Sequence, residues 1–267
     1  MRICLGFWGL LRSFDITQQS IQENILSVFE EANIECDVYF HTYYNLPCKN
    51  YGERTNDNKK NPLLIDLFVK NFKPKDFRSD DKEIVENEID VTKYRTKGCA
   101  WNSKDFYLTN NVVLAQYSKF KVLQLIEESG TYYDYVIFLR PDAFFLEKFD
   151  LSFLENVTNT QIVTASHQVH GIGKFKINDR FFLCNSKTYK IIGNIFLSLY
   201  EISLKKALHS ESIIAEYLHD NGIANFKHNI PFVLVRVNGK TYEKDYLQQF
   251  INNSENDTKK TKLRKLL

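Results

Sequence analysis

Apolar residues gather along this chain into short runs, separated by longer stretches in which they recur at helical spacing. Four runs read as core strands: Ile3–Phe7, Cys36–His41, Tyr135–Leu139 and Gln161–Ala165. Each is rich in β-branched or aromatic residues and lacks a polar alternation, as strands covered on both faces are. Between them, Ile21, Ile25, Val28 and Phe29 fall at helical spacing within Thr17–Ala32. Asn111–Glu128 is the longest such pattern, with a start signal at Thr109 or Asn110 and a stop at Gly130. Helices are also predicted over Ser186–Leu208 and Ser210–Asp220.

Strand, helix, strand, long crossover, helix and strand is an α/β order. It predicts a mainly parallel central sheet flanked by helices, with a helical C-terminal part. Residues 49–105 interrupt that order, being polar and charge-dense, with helical islands at Pro62–Phe72 and Asp80–Ile89. So long a stretch inside a compact domain predicts an ordered polar insertion or lid. The pattern therefore divides the chain into one domain over residues 1–250 and a flexible basic tail over 251–267. After Ala165, SHQVHGIGKFKIND reads as a mobile loop.

Composition narrows the classes. The chain has 267 residues, of which 43% are hydrophobic, so it can bury a large core. Its formal charge is +2 (35 basic, 33 acidic), and KKTKLRKLL at the end holds five of the basic residues. Without them the body is slightly acidic, and no basic stripe interleaved with aromatics points to nucleic acid as a partner. A frayed, solvated end accounts for the tail, and weak contact with an anionic membrane surface is the other reading. Cys4, Cys36, Cys48, Cys99 and Cys184 are odd in number, widely spaced and without a CxxC pair, which predicts reduced thiols and a cytoplasmic protein. No apolar run reaches the roughly 20 residues that would make a transmembrane segment. The sequons at Asn156, Asn252 and Asn256 are then incidental.

In an open α/β sheet, ligands bind beyond the carboxyl ends of the strands. Those ends carry Gly9 and Arg12, then His41, Thr42 and Tyr43, then Arg140 and Asp142. A guanidinium beside a short glycine turn suits a phosphate. In YDYVIFLRPDAFF, Pro141 ends the strand and displays Asp142 on a rigid turn. A carboxylate there can hold a divalent cation bridging two phosphates, or it can simply pair with its arginine. His167, His170 and His209 lack any zinc-ligand spacing. Trp8, Tyr43 and Trp101 are candidates to stack on a base or sugar, and the helix face Asn111, Gln116 and Lys119 could border the site.

The succession GLLRSF, DVYFHTYY, YDYVIFLRPDAFF, INDRFFLCNS and SESIIAEYL resembles the GT-A-type glycosyltransferases of large DNA viruses and bacterial surface-polysaccharide loci. The resemblance runs from about Arg2 to Arg236 and is poorest over 49–105. It implies a Rossmann-like GT-A fold, a nucleotide-diphosphate-sugar donor, a glycan acceptor, and transfer of a hexosyl or deoxyhexosyl group. For a viral member, the location is the host cytoplasm. It implies donor binding by Gly9, Arg12, His41, Thr42, Arg140 and Asp142, and a divalent metal, Mn²⁺ or Mg²⁺, on Asp142. That residue matches the last acid of the family's Asp-x-Asp signature. Arg140 takes the place of the first acid, so a cation stands where one of two acidic metal contacts is expected. Asp179 and Glu211 match positions that imply the catalytic carboxylates. A non-catalytic nucleotide-sugar or glycan-binding module of the same fold is the alternative.

Overall fold

The computed structural model describes residues 1–44, 61–100 and 106–267, with the side chains of Asn61 and Pro62 left aside. In chain order its strands are β1 (Arg2–Trp8), β2 (Glu35–Tyr44), β3 (Asp76–Asp81), β4 (Tyr135–Leu139), β5 (Ala143–Phe145), β6 (Gln161–Ala165), β7 (His170–Ile172), β8 (Phe175–Ile177), β9 (Phe181–Asn185), β10 (Ala224–His228) and β11 (Phe232–Leu234). The α-helices are α1 (Phe14–Ile21), α2 (Ser27–Glu31), α3 (Asn61–Phe72), α4 (Lys82–Glu88), α5 (Phe106–Glu128), α6 (Thr188–Gly193), α7 (Ile195–Lys205), α8 (Ser210–Asp220), α9 (Lys244–Asn253) and α10 (Asp257–Arg264). A π-helical segment, Gln22–Leu26, joins α1 to α2.

Seven strands form the central sheet in the order β10-β6-β9-β4-β1-β2-β3. All neighbouring pairs are parallel except those of β9, which runs antiparallel to both β4 and β6. The mainly parallel sheet flanked by helices is the architecture that the hydrophobic pattern predicts. Along β1, Ile3, Leu5 and Phe7 face one core with Phe14 of α1 and Phe68 of α3, while Cys4 and Trp8 face the other with Val113, Val122 and Leu123 of α5. Both faces are thus dry, and each fully buried aromatic such as Phe68 contributes about 1.5–3 kcal/mol of transfer free energy.

Helix α5 lies hard against the sheet. A Cβ added to Gly6 of β1 would meet Val122 Cγ1 at 2.7 Å, and one added to Gly193 of α6 would meet the Leu123 side chain at 2.6 Å. The backbones can approach this closely only because neither glycine carries a side chain.

Two expectations are corrected. Residues 61–81 are no lid: α3 seats Leu64, Phe68 and Phe72 in the core, and β3 closes the sheet as its edge strand. DFRSDD reads as polar because an edge strand packed on one side need not be apolar. Of the rest of the expected insertion, 82–100 carries α4 with Val85 buried, while 49–60 and 101–105 lie outside the described residues, as do Cys48 and Trp101. The tail expected to be flexible is instead α10, whose Leu263, with Leu266 beyond it, packs against Phe144, Leu146, Val233 and Val235. Its three lysines are half-buried, and Lys262, lying over the Phe144 ring, pairs with Glu23. Among the described residues no helix is long and apolar enough to cross a membrane.

Candidate functional site

The parallel pairing of β1, β2 and β4 places their carboxyl ends on one edge of the sheet. Because β9 is antiparallel, it brings its amino end to that edge, with Phe181 opposite Leu139. Asp179 and Arg180, just before β9, therefore meet Arg140, just after β4. A second small sheet completes the arrangement: β11 pairs with β5, Leu234 opposite Ala143, and Val235 N–H donates to the Asp142 carbonyl at 2.9 Å. That leads Arg236 to the same place, where its charge acts on Asp142.

Asp142 has no exposed surface. Arg140 holds it in a fork, Nε to Oδ1 at 2.7 Å and Nη2 to Oδ2 at 2.6 Å, and Arg12 Nη1 reaches Oδ2 at 3.3 Å. Burial works against the carboxylate, but Arg140, then Arg12 and Arg236, hold its pKa down at about 2. The turn is fixed from beneath by Thr17, whose hydroxyl donates to the Pro141 carbonyl at 2.6 Å. The expected divalent metal on Asp142 does not fit this geometry. Arg140 donates to both oxygens and Arg12 to one, which sets two positive charges where a cation would have to sit.

The β1–α1 turn is built from left-handed backbone, Gly9 at φ 93° and Arg12 at φ 35°. Glycine adopts such a φ freely, whereas an arginine there is strained, and strained residues of this kind concentrate at working sites. Gly9 N–H donates to Ser118 Oγ at 2.9 Å. Ser118 also lies 2.8 Å from His41 Nδ1, and His41 Nε2 lies 3.0 Å from Asp80 Oδ2. Burial keeps the imidazole neutral, so Nε2–H donates to Asp80 and Nδ1 accepts from the Ser118 hydroxyl. His41 and Thr42, expected to touch a donor, have no exposed surface. They lie behind the turn, and His41 steadies it through Ser118.

Asp179 and Glu211 do come together with the arginines. Burial works against the Asp179 carboxylate, but Arg180, the Ser210 hydroxyl, Arg140 and Lys119 outweigh it and lower its pKa. Burial carries Glu211 the other way, up to about 7, helped by the Asp179 charge. Glu211 stands in the first turn of α8, 3.5 Å from His209 Nδ1, which caps the helix by accepting from Ser212 N–H. Arg180 is loosely held, with contacts of 3.9 Å to Asp179 and 4.0 Å to Glu243, and among the described residues its Nη1 has no hydrogen-bond partner.

Three contributors escaped the sequence reading and a fourth stood at its margin. Arg180 adjoins Asp179 in INDRFF but carries no signal apart from it. Arg236 and Glu243 follow β11, a three-residue strand too short to show a period. Lys119 stood only as a bordering residue, yet it is fully enclosed, its Nζ 4.8 Å from the Trp8 ring centre and 5.0 Å from that of Phe182.

No protein-family model and no curated protein sequence matches the chain. Among solved structures it is similar to the apo form of glycosyltransferase GlyE of Streptococcus pneumoniae TIGR4, with 12% identity and a TM-score of 0.44 over 85% of this chain. The match spans only 45% of the GlyE chain. Mouse xyloside xylosyltransferase 1 gives 11% identity and 0.43, covering 85% of each chain. A glycosyltransferase involved in glycosylation of the major capsid of PBCV-1 gives 10% identity and 0.38, over 85% of this chain and 82% of that one. Likeness at this level carries no argument about the activity of this chain, which has to come from its own residues.

Proposed function

We propose that this chain is a glycosyltransferase that moves a sugar from a nucleotide-diphosphate donor to a carbohydrate hydroxyl, with arginines in place of a divalent cation. The observation that carries the reading is the convergence of Arg12, Arg140 and Arg180 at one edge of the sheet, each with some exposed surface, beside two carboxylates whose pKa values are driven apart. Guanidiniums match the geometry of phosphate oxygens and neutralise the charge that builds on a departing diphosphate. Asp142, locked to Arg140, orients that arginine rather than a metal.

Paired carboxylates with divergent pKa values suit acid–base work. Glu211, poised near neutrality, is the base: it takes the acceptor's hydroxyl proton as that oxygen bonds to the anomeric carbon and the carbon–diphosphate bond breaks. Asp179 stays ionised and steadies the positive charge developing on the sugar ring. The result is transfer with inversion, the nucleoside diphosphate leaving with its bonding electrons.

A panel of nucleotide sugars tested in chelator-treated buffer checks this. One donor should release nucleoside diphosphate slowly, faster with the right glycan, and added Mn²⁺ or Mg²⁺ should leave the rate within a few-fold. Release that occurs only with metal would overturn the arginine assignment. Binding without release would leave a non-catalytic module.

A further inference from the structure

Lys119 is the most anomalous group outside that mechanism. An ammonium offers three donors, and among the described residues its Nζ has no hydrogen-bond partner. Its surroundings are the Trp8 and Phe182 rings, and the same indole lies 5.7 Å from Arg140 Cζ. The charged and titratable groups facing it are Asp179, Arg140, Cys184 and Glu211. Enclosing an unbonded cation is costly, so the side chain is cheapest there as a neutral amine. A structural role does not account for it, since a methionine would fill the same space without that cost.

We propose that Lys119 is a proton-accepting counter-ion of the site: it takes up a proton when an anionic ligand settles against Arg140 and Arg180, and so supplies positive charge that the empty protein does not carry. The inference rests on the donor-site reading above and deepens it. Burial holds Lys119 down to about 7, against the pull of Asp179, so near neutral pH the amine is divided between its two forms. A diphosphate held by Arg140, which shares the Trp8 ring with Lys119, acts through an enclosed region little screened by solvent and decides between them. The proton comes from solvent and no bond to the ligand is needed, which makes Lys119 a positioning residue rather than a catalytic one. Linkage makes the effect reciprocal: each unit by which the ligand raises the Lys119 pKa strengthens binding about tenfold at pH values below both pKa values, relative to those above.

The test uses inorganic pyrophosphate in chelator-treated buffer and lysine side-chain NMR, with Lys119→Met, or Lys119→Gln if methionine is not tolerated, to assign the signal. Lys119 should titrate near neutrality in the free protein and at least about one unit higher with saturating pyrophosphate. Calorimetry from pH 6 to 9 should show affinity falling about tenfold more in the wild type than in K119M, the two converging at pH 9. Glu211 titrates in the same range, so the extra fall must survive in E211Q; the ligand's own protonation is common to all three proteins. K119M should also melt higher than the wild type.

A Lys119 signal unmoved by pyrophosphate, or a K119M titration matching the wild type throughout, overturns the proposal while leaving glycosyl transfer standing if a donor is turned over. No pyrophosphate binding at all overturns it too, and together with the absence of donor turnover removes both readings.

Discussion

Ser118 and Lys119 are neighbours on α5 and serve opposite halves of the molecule. Ser118 completes the chain from Asp80 through His41 to the Gly9 amide, where each side-chain nitrogen of a buried imidazole has a partner. One residue on, Lys119 is equally buried and its ammonium has none among the described residues. Buried polar groups are normally satisfied, because leaving one unmade costs about 1–3 kcal/mol. On the proposed reading the satisfied region is scaffold, and the one around Lys119 and Arg180 is kept unsatisfied at a cost for what it does to a ligand.

The largest effect that could break this contrast is kinetic. Glu211→Gln should lower turnover by about 10²–10⁴ while donor affinity stays within a few-fold and the protein is no less stable. Near-normal turnover would remove Glu211 as the base. Next comes Arg140→Met, which strips the enclosed Asp142 of its fork and should cost about 3–5 kcal/mol in urea unfolding. The double variant R140M/D142L should recover most of that, because the lone buried charge rather than the lost pair is what destabilises.

On the scaffold side, His41→Leu leaves Asp80 and Ser118 short of partners. It should cost about 1–3 kcal/mol of stability yet leave turnover within a few-fold, the reverse of Glu211→Gln. The last comparison lies in the pH dependence of stability. Folded Glu211 holds its proton to about 7 against 4.5 for the free side chain, so its contribution falls as pH rises from 4.5 through 7 and is level above. Lys119 acts oppositely in the next window: the unfolded chain binds the extra proton between about 7 and 10.5, so stability rises there. Comparing melting curves of E211Q and K119M with the wild type across both windows isolates each slope.

Strands β4 and β6 and helix α8 were legible to the residue, because nothing competes with an apolar run bounded by turn residues or with a capped helical period. The antiparallel course of β9 was not, since FFLCN has no feature that sets direction, and direction is what delivers Asp179 and Arg180 to the site. For the site itself, Arg-Pro-Asp announced a rigid turn in which Arg140 and Asp142 are close. It could not say that Arg140 would grip both oxygens of that carboxylate. Lys119 was seen only on the border of the site because a lone lysine in a helix reads as solvated; only the packing of Trp8 and Phe182 over it makes it unusual. The C-terminal lysines misled for the same reason, their charge masking Leu263 and Leu266.

The close seating of α5 between Gly6 and Gly193 has a mechanical consequence. With Val122 and Leu123 keyed into the two glycines, the helix can neither slide along the sheet nor roll upon it without a backbone collision. It is a closely fitted axle, and that fit fixes where Ser118 and Lys119 stand relative to β1. A piston stroke of this helix would have to break the fit at both glycines at once. Electrostatics, and the side chains and turns at the edge, are the cheaper carriers of a response to a ligand.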